Sequence, residues 1–319
     1  MKAIRVHQFG EPDVLKLQDI PSPPVGAGQV LVRARAIGVN PVETYVRAGK
    51  YGPKEFPFTP GNDCAGLVER VGENVKRFKP GDRVYTDKTV SGAYAELVLC
   101  DADFVHALPQ RATFQQGGAI GSPAGAAFRG LFQRGRGIAG ENLLIHGATG
   151  AVGTAAIQLA RAAGINVVAS ASTEAGRTYA IEHGAHHAVD HDITTRIDEV
   201  KSLTGGKGFD LILEMMANRN LASDLQSLNR GGRVVVVGSR GKIEIDPRDT
   251  MNREADVLGL MLFGATPTEH RQIYSALSAA LEAGTFHPVI GLELPLAEAA
   301  KAHQLVIEGD HFGKIVLIP

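Results

Sequence analysis

One stretch constrains the fold more than any other: "NLLIHGATGAVGTAAIQLARAAG", Asn142 to Gly164. A short apolar run ends in a glycine-rich turn, and the turn opens into an alanine-rich segment with helical spacing. "ATGAVG" (Ala148 to Gly153) matches the second and third glycines of the dinucleotide fingerprint, with Ala148 in the place of the first. Gly150 lets backbone amides approach a pyrophosphate, and Gly153 permits close helix packing. The phosphates then meet the positive end of the helix, so Thr149, Gly150, Ala151, Val152 and Gly153 are the expected cradle. A phosphate-binding loop of the nucleotide triphosphatase type is excluded, because no Gly-Lys-Ser/Thr follows.

The turn belongs to a repeating pattern. After about Gly117, apolar strands alternate with helical segments: "NLLIHG", "NVVASAS", "FDLILEMM", "GRVVVVGS" and "DVLGLML". Continuous apolar strands joined by helices indicate a parallel sheet covered on both faces. The first hundred residues differ. Gln29 to Val39, Cys64 to Gly72, Gly81 to Tyr85 and Gly92 to Cys100 are short β runs punctuated by Gly and Pro, as in a compact barrel or sandwich. Beyond Ala265, a helical stretch (Thr268 to Gly284) is followed by "PVIGLELPL" and "GKIVLIP", which return to that β pattern. The expected fold is therefore α/β, with residues 1–123 and 266–319 forming a β-rich unit around a doubly wound parallel-sheet unit at 124–265.

The ribose end of the expected site lies about 20 residues past the turn, where NAD-binding chains carry an acidic residue. Here the second strand runs into "SASTEAGR" (Ser170 to Arg177), with Ser172 and Thr173 at that place. Small hydroxyls, Arg177 and His191 suit a 2′-phosphate and favour NADPH. Glu174 keeps NADH open, and Arg177 also reads as a solvated helix residue.

Charge and cysteine content remove other classes. Lys plus Arg number 33 against 34 Asp plus Glu, so no global field favours nucleic acid or an acidic membrane. Two cysteines, Cys64 and Cys100, are too few for a disulfide framework or a four-thiolate zinc site. No run of about 18 apolar residues occurs, and a soluble cytoplasmic protein is expected. The adjacent His186 and His187 read as structural residues on a loop, and no histidines fall at ligand spacing along the sequence.

"GVNPVETYVRAGKY" (Gly38 to Tyr51), "TPGNDCAGLVERVGENV" (Thr59 to Val75), "HGATGAVG", "EMMANRNLASDL" (Glu214 to Leu225) and "VVVVGSRGKIEIDPRDTM" (Val234 to Met251) together resemble the zeta-crystallin-like quinone oxidoreductase group of the medium-chain dehydrogenases/reductases. The resemblance implies a GroES-like catalytic domain, a Rossmann domain, NADPH as donor, quinones as acceptors and a homo-oligomer, dimer or tetramer. It places Asn40, Tyr45 and Tyr51 in the substrate cleft near the nicotinamide. Asn220, Val237, Gly238, Ser239, Arg240 and the backbone of Met261 to Phe263 are placed along the cofactor. Tyr45 reads equally as a packed aromatic. Zinc alcohol dehydrogenases share the fold, but their catalytic Cys and His-Glu pair are replaced here by Asn40 and Asn62-Asp63, so no metal is expected. Ala126 stands where relatives usually carry Thr. Reduction of another electrophile such as an enone, or an RNA-binding or structural role on the same fold, are the alternatives, and the apolar "GRVVVVG" strand is the expected neighbourhood of a sheet-extending interface.

Overall fold

The computed structural model describes residues 1–192, 197–309 and 311–319. The chain forms two compact units, Met1–Pro123 with Ser278–Pro319, and Ala124–Leu277. The second boundary falls inside the helix Pro267–Ala283 rather than at residue 266. Its last turns belong with the first unit, where the Ser278 hydroxyl lies 3.4 Å from that of Tyr85.

The first unit is organised on the strand Gln29–Gly38, which pairs antiparallel with Cys64–Val71, Leu97–Asp101 and the C-terminal Lys314–Ile318. With neighbours on every side, this strand is buried along most of its length, and the simple in–out alternation expected of a half-exposed strand is lost. Cys64–Val71 continues to Arg83–Thr86 and Val105–Ala107, and Ile290–Pro295 runs parallel to Lys314–Ile318. Gly66 is required by close approach: a Cβ there would lie 2.0 Å from the Arg33 carbonyl oxygen. Ile4, Val30, Val32, Ile37, Val68, Val84, Ile315 and Leu317 fill the core. Burial of aliphatic side chains of this size stabilises a fold by about 1.5–3 kcal/mol each.

The second unit is a six-stranded sheet, parallel throughout, in the order His187–Asp190, Asn166–Ala171, Asn142–Ile145, Phe209–Glu214, Leu228–Val236, Asp256–Gly259. The first strand in sequence thus lies beside the fourth, and the order reverses between Asn142–Ile145 and Phe209–Glu214. Ligands of such sheets gather at the carboxyl ends beside this reversal. Leu144, Val168, Phe209, Ile212, Leu225 and Val234 pack the core. Leu228–Val236 is the strand next to the edge strand Asp256–Gly259, and the other edge is His187–Asp190. His187 begins a strand rather than sitting on a loop, and the His186 ring Nδ1 accepts from the Val167 amide at 2.9 Å. Among the described residues no helix is long and apolar enough to cross a membrane.

Candidate functional site

The glycine turn has the geometry its sequence requires. The strand Asn142–Ile145 ends at the buried His146, and Gly147 takes φ of 61°, the left-handed conformation that glycine adopts without strain. The tight turn therefore rests on Gly147, one residue before the place of the fingerprint's first glycine, which is why Ala148 is tolerated there. A Cβ on Gly153 would meet the Gly147 carbonyl oxygen at 2.4 Å. A Cβ on Gly150 would come no nearer than 3.6 Å to any neighbour, leaving open space at the N-terminus of the helix Ala151–Ala162. Free amides, helix dipole and space coincide there, and Thr149, Ala151 and Val152 are half-buried around it.

At the end of the second strand, Ser172 is exposed, whereas the Thr173 hydroxyl caps the helix Glu174–Glu182 by accepting from the Gly176 amide at 3.0 Å. Of the two expected hydroxyls, Ser172 alone is uncommitted to the cap. Arg177 donates to the Ala171 carbonyl at 3.3 Å and pairs with Asp190 at 3.2 Å, so its guanidinium is held at the strand ends and is not a freely solvated side chain. His191 is half-buried with Nδ1 at 3.5 Å from the Ser170 hydroxyl, and burial lowers its pKa.

The segment 237–240 is stitched to the fourth strand. Val237 N–H donates to the Glu214 carbonyl at 2.8 Å, Ala217 N–H to the Gly238 carbonyl at 3.0 Å, and Arg240 N–H to the Asn218 side-chain oxygen at 2.8 Å. Ser239 and Arg240 are exposed, Val237 and Gly238 half-exposed. Asn220 behaves differently: it is buried, and its Nδ2 donates to Glu214 Oε1 at 3.2 Å. Its role here is to support the site from beneath. Met261 and Phe263 are exposed beyond the edge strand Asp256–Gly259.

The spacing of histidines along the sequence concealed one grouping. His146, Glu214 and Asp224, from two strand ends and the helix Ala217–Ser227, meet with one ligand-type atom each within 4.8 Å of one another. Contact between residues so far apart in sequence depends on the strand order and leaves no local signal.

In the first unit, Asn40 precedes the helix Pro41–Arg47, which carries Tyr45. Its backbone N–H donates to Glu43 Oε2 at 2.8 Å, while its Nδ2 donates to Glu43 Oε1 at 3.1 Å and Asp63 Oδ2 at 2.9 Å. Its Oδ1 accepts from the Lys314 ammonium, which also stands 3.7 Å from Asp63. The Asn40 amide is thus committed on both sides, and the residue anchors the helix. Tyr94 donates to Glu43 at 2.7 Å, and Ser122 donates to Asp63 from both N–H and hydroxyl. Burial, reinforced by the neighbouring Asp63, pushes the Glu43 carboxyl up to about 7. Burial likewise raises Asp63 and lowers Lys314, each against the pull of the other's charge. Tyr45 is half-buried and Tyr51 is 43% exposed. Ala126 is buried.

These residues do not fit zinc. Asn40 offers an amide already bonded to an ammonium, Asn62 faces the Thr89 amide at 3.4 Å, and Asp63 is satisfied by three donors. A second cation at this place would have to displace Lys314 and would find no thiolate or imidazole among these residues.

Two family models match the chain: the alcohol dehydrogenase GroES-like domain over residues 26–110 and the zinc-binding dehydrogenase over 151–281. The chain is 48% identical to the quinone oxidoreductase of Homo sapiens, covering 100% of this chain and 98% of that protein. The fold is similar to the Escherichia coli quinone oxidoreductase complexed with NADPH, with TM-score 0.91, 26% identity and full coverage of both chains. A mycobacterial protein complexed with NADPH is similar at TM-score 0.92 and 30% identity, again over both full lengths. A GroES-like unit and a doubly wound sheet with this glycine turn define the medium-chain dehydrogenase/reductase fold, and the chain belongs to the quinone oxidoreductase group of that family.

Proposed function

We propose that the chain reduces quinones with NADPH and without a metal. The observation that carries the reading is the strand–turn–helix at His146 to Gly153, where a helix N-terminus faces open space at Gly150. The amides around Gly150 hold the pyrophosphate, and Ser172, Arg177 and His191 surround the 2′-phosphate. Val237 to Arg240 and the backbone of Met261 to Phe263 lie along the remainder of the cofactor. When bound, NADPH supplies the reducing equivalents.

A quinone is electrophilic enough to accept them without a Lewis acid, so the protein's work is to hold the two ring systems together. Tyr45 and Tyr51 present phenols able to donate to a quinone oxygen as negative charge develops. Asn40 fixes the helix that carries Tyr45. A panel of quinones, enones and alcohols with NADPH and NADH tests the reading. Rapid NADPH oxidation by quinones, retained in chelator, is the expected result; turnover of enones alone, or loss of activity on chelation, overturns it.

The oligomer and the compartment extend this reading. The edge strand Asp256–Gly259 exposes Val257, and Met261 and Phe263 follow it, which supports sheet pairing with a second copy. Val257→Lys is expected to lower the mass measured by light scattering. Two buried, unpaired cysteines support a reducing cytosol.

A further inference from the structure

Beneath the glycine turn lies a cluster with too few hydrogens for its oxygens. Glu214 Oε1 accepts from the Met216 amide and from Asn220, but Oε2 has no hydrogen-bond partner among the described residues. Asp224 Oδ1 faces His146 Nε2 at 2.8 Å, and Oδ2 likewise has none. Both carboxylates are fully buried. Two adjacent buried carboxylates cannot both stay ionised without a cation or a donor.

The surroundings supply neither in sufficient number. His146 Nδ1 is 2.9 Å from the Ser170 hydroxyl, and its Nε2 is 3.5 Å from Glu214 Oε2. His191 approaches from beyond the strand His187–Asp190, its ring 5.8 Å from that of His146. Burial lowers both histidines, favouring neutral rings. A neutral His146 with its hydrogen on Nε2 donates to Asp224 and accepts from Ser170 on Nδ1. That arrangement satisfies Asp224 Oδ1 and Ser170, and leaves the two orphan oxygens facing a missing hydrogen. On the helix Ala217–Ser227, Asn220 is spent on Glu214 Oε1, and the buried Ser223 and Ser227 hydroxyls donate to the backbone carbonyls of Asn220 and Asp224. The charges of Arg219 and Asp190 act on His191.

We propose that Glu214 and Asp224 share one proton at neutral pH, and that the resulting cluster, which with a neutral His146 carries a single negative charge, is a positioning device for the NADPH-binding strand ends. This rests on the NADPH reading above. The proton lies between the two carboxylates, whose oxygens come within 4.8 Å of one another, and supplies a hydrogen bond that the bare pair lacks. Burial is the main cause that raises both carboxyls, each to about 7, so at neutral pH the pair holds a proton between them.

The connections to the cofactor segments are short. His146 is followed directly by Gly147, whose φ sets the turn, and the Glu214 carbonyl accepts from Val237 N–H. A Cβ on Gly238 would lie 2.6 Å from the Met215 carbonyl oxygen, so segment 237–240 follows any shift of the strand end. Loss of the shared proton at high pH puts two like charges together and drives the turn and this segment apart, weakening NADPH.

Glu214→Gln locks the protonated arrangement: its amide oxygen accepts from Met216 and Asn220, and its NH2 donates to the Asp224 carboxylate. Asp224→Asn does the same from the other side. In wild-type protein, NADPH affinity measured by fluorescence is expected to fall about tenfold from about pH 6 to about pH 9 beyond any fall in E214Q, the coupling that one unit of pKa displacement produces. The titration of the phosphate is common to both proteins and cancels.

The cofactor-free proteins give an independent readout. Infrared spectra at neutral pH should contain an un-ionised carboxylic acid band that E214Q lacks, and thermal melting of the wild type should fall with rising pH more steeply than that of E214Q. If E214Q does not fold, D224N carries the same comparison. Parallel pH profiles in wild type and variant, absence of the acid band, or one divalent cation per chain that is lost in E214Q, would each overturn the proposal. An acid band and a steeper melt alongside weak NADPH binding at every pH would instead overturn the cofactor reading.

Discussion

Each unit buries a pair of carboxylates, and the two pairs are stabilised differently. In the first, Asp63 and Glu43 receive the Lys314 ammonium, the Asn40 amide, the Tyr94 hydroxyl and the Ser122 donors. In the second, Glu214 and Asp224 meet His146 and two donors on Glu214 Oε1, and among the described residues no donor reaches Glu214 Oε2 or Asp224 Oδ2. The first pair is held by a built-in cation on the C-terminal strand, which anchors the helix bearing Tyr45. The second depends on a proton exchangeable with solvent. One cluster is therefore held by a cation of the chain itself and the other by a shared proton.

The largest expected effect breaks the first cluster. Lys314→Met leaves Asp63 buried without its cation, and removing one partner of a buried pair typically costs about 3–5 kcal/mol. Urea denaturation should record a loss of that size, and adding Asp63→Asn should restore much of it, because the double variant buries no unpaired charge. Glu214→Gln, which keeps every hydrogen bond of the protonated cluster, should cost far less. Equal losses from K314M and E214Q would erase the distinction.

The next effect is in pH. Burial raises Glu214 from 4.5 to about 7 in the folded protein. Its contribution to stability is fully present below the unfolded pKa and is lost as pH rises through about 7. Glu43, also raised to about 7, has the same sign. His303 opposes them: burial and the Arg47 charge push it down to about 3, so its contribution grows as pH rises from about 3 towards the unfolded value. Stability should therefore peak at mildly acidic pH and then fall by on the order of 1–3 kcal/mol towards neutrality. Chemical denaturation across this range checks it: E214Q should flatten the falling limb, Glu43→Gln should flatten it independently, and a wild-type profile that rises throughout would contradict both assignments.

A smaller effect tests the cofactor end of the second unit. A charge-assisted hydrogen bond is worth roughly 1.5–3 kcal/mol. Arg177 must loosen its 3.2 Å pair with Asp190 to reach a 2′-phosphate, which places its net contribution at the lower end. Arg177→Ala should weaken NADPH about tenfold and spare NADH, whereas Asp190→Asn should strengthen NADPH. Equal loss of both cofactors in R177A would assign the arginine to folding alone.

What the sequence disclosed followed from locality. The turn at Gly147 to Gly153 and the apolar strands carry their signal within a few consecutive residues, so the parallel sheet and its glycine loop were legible. His187–Asp190 was hardly readable as a strand, because it is short and only half-buried and so lacks an apolar run. Neither carboxylate cluster was visible. Lys314 meets Asn40, and His146 meets Asp224, through strand pairing that no local pattern encodes. The sequence places Asn40 and Asn220 at the site, but their amides turn inward onto Glu43, Asp63 and Glu214. Likewise, Thr173 is spent on a helix cap that only the backbone path reveals.

The smallest expected effect concerns the two phenols, and it decides whether the well-anchored helix in the first unit supplies a proton or only a position. A general acid in the transition state contributes about a hundredfold to ten-thousandfold. A neutral hydrogen bond to a polarised oxygen contributes about 0.5–1.5 kcal/mol, roughly two- to tenfold. A quinone needs little activation, so the second magnitude applies. Tyr45, half-buried on the helix that Asn40 and Glu43 hold, should matter more than the exposed Tyr51. Tyr45→Phe and Tyr51→Phe should each lower kcat less than tenfold, with the larger change in quinone KM, and the double variant should remain active. Steady-state kinetics with NADPH saturating resolves the two cases: a thousandfold fall in kcat from either single change, with NADPH affinity intact, would make that phenol an obligatory acid and turn the anchored helix from a positioning element into a catalytic one.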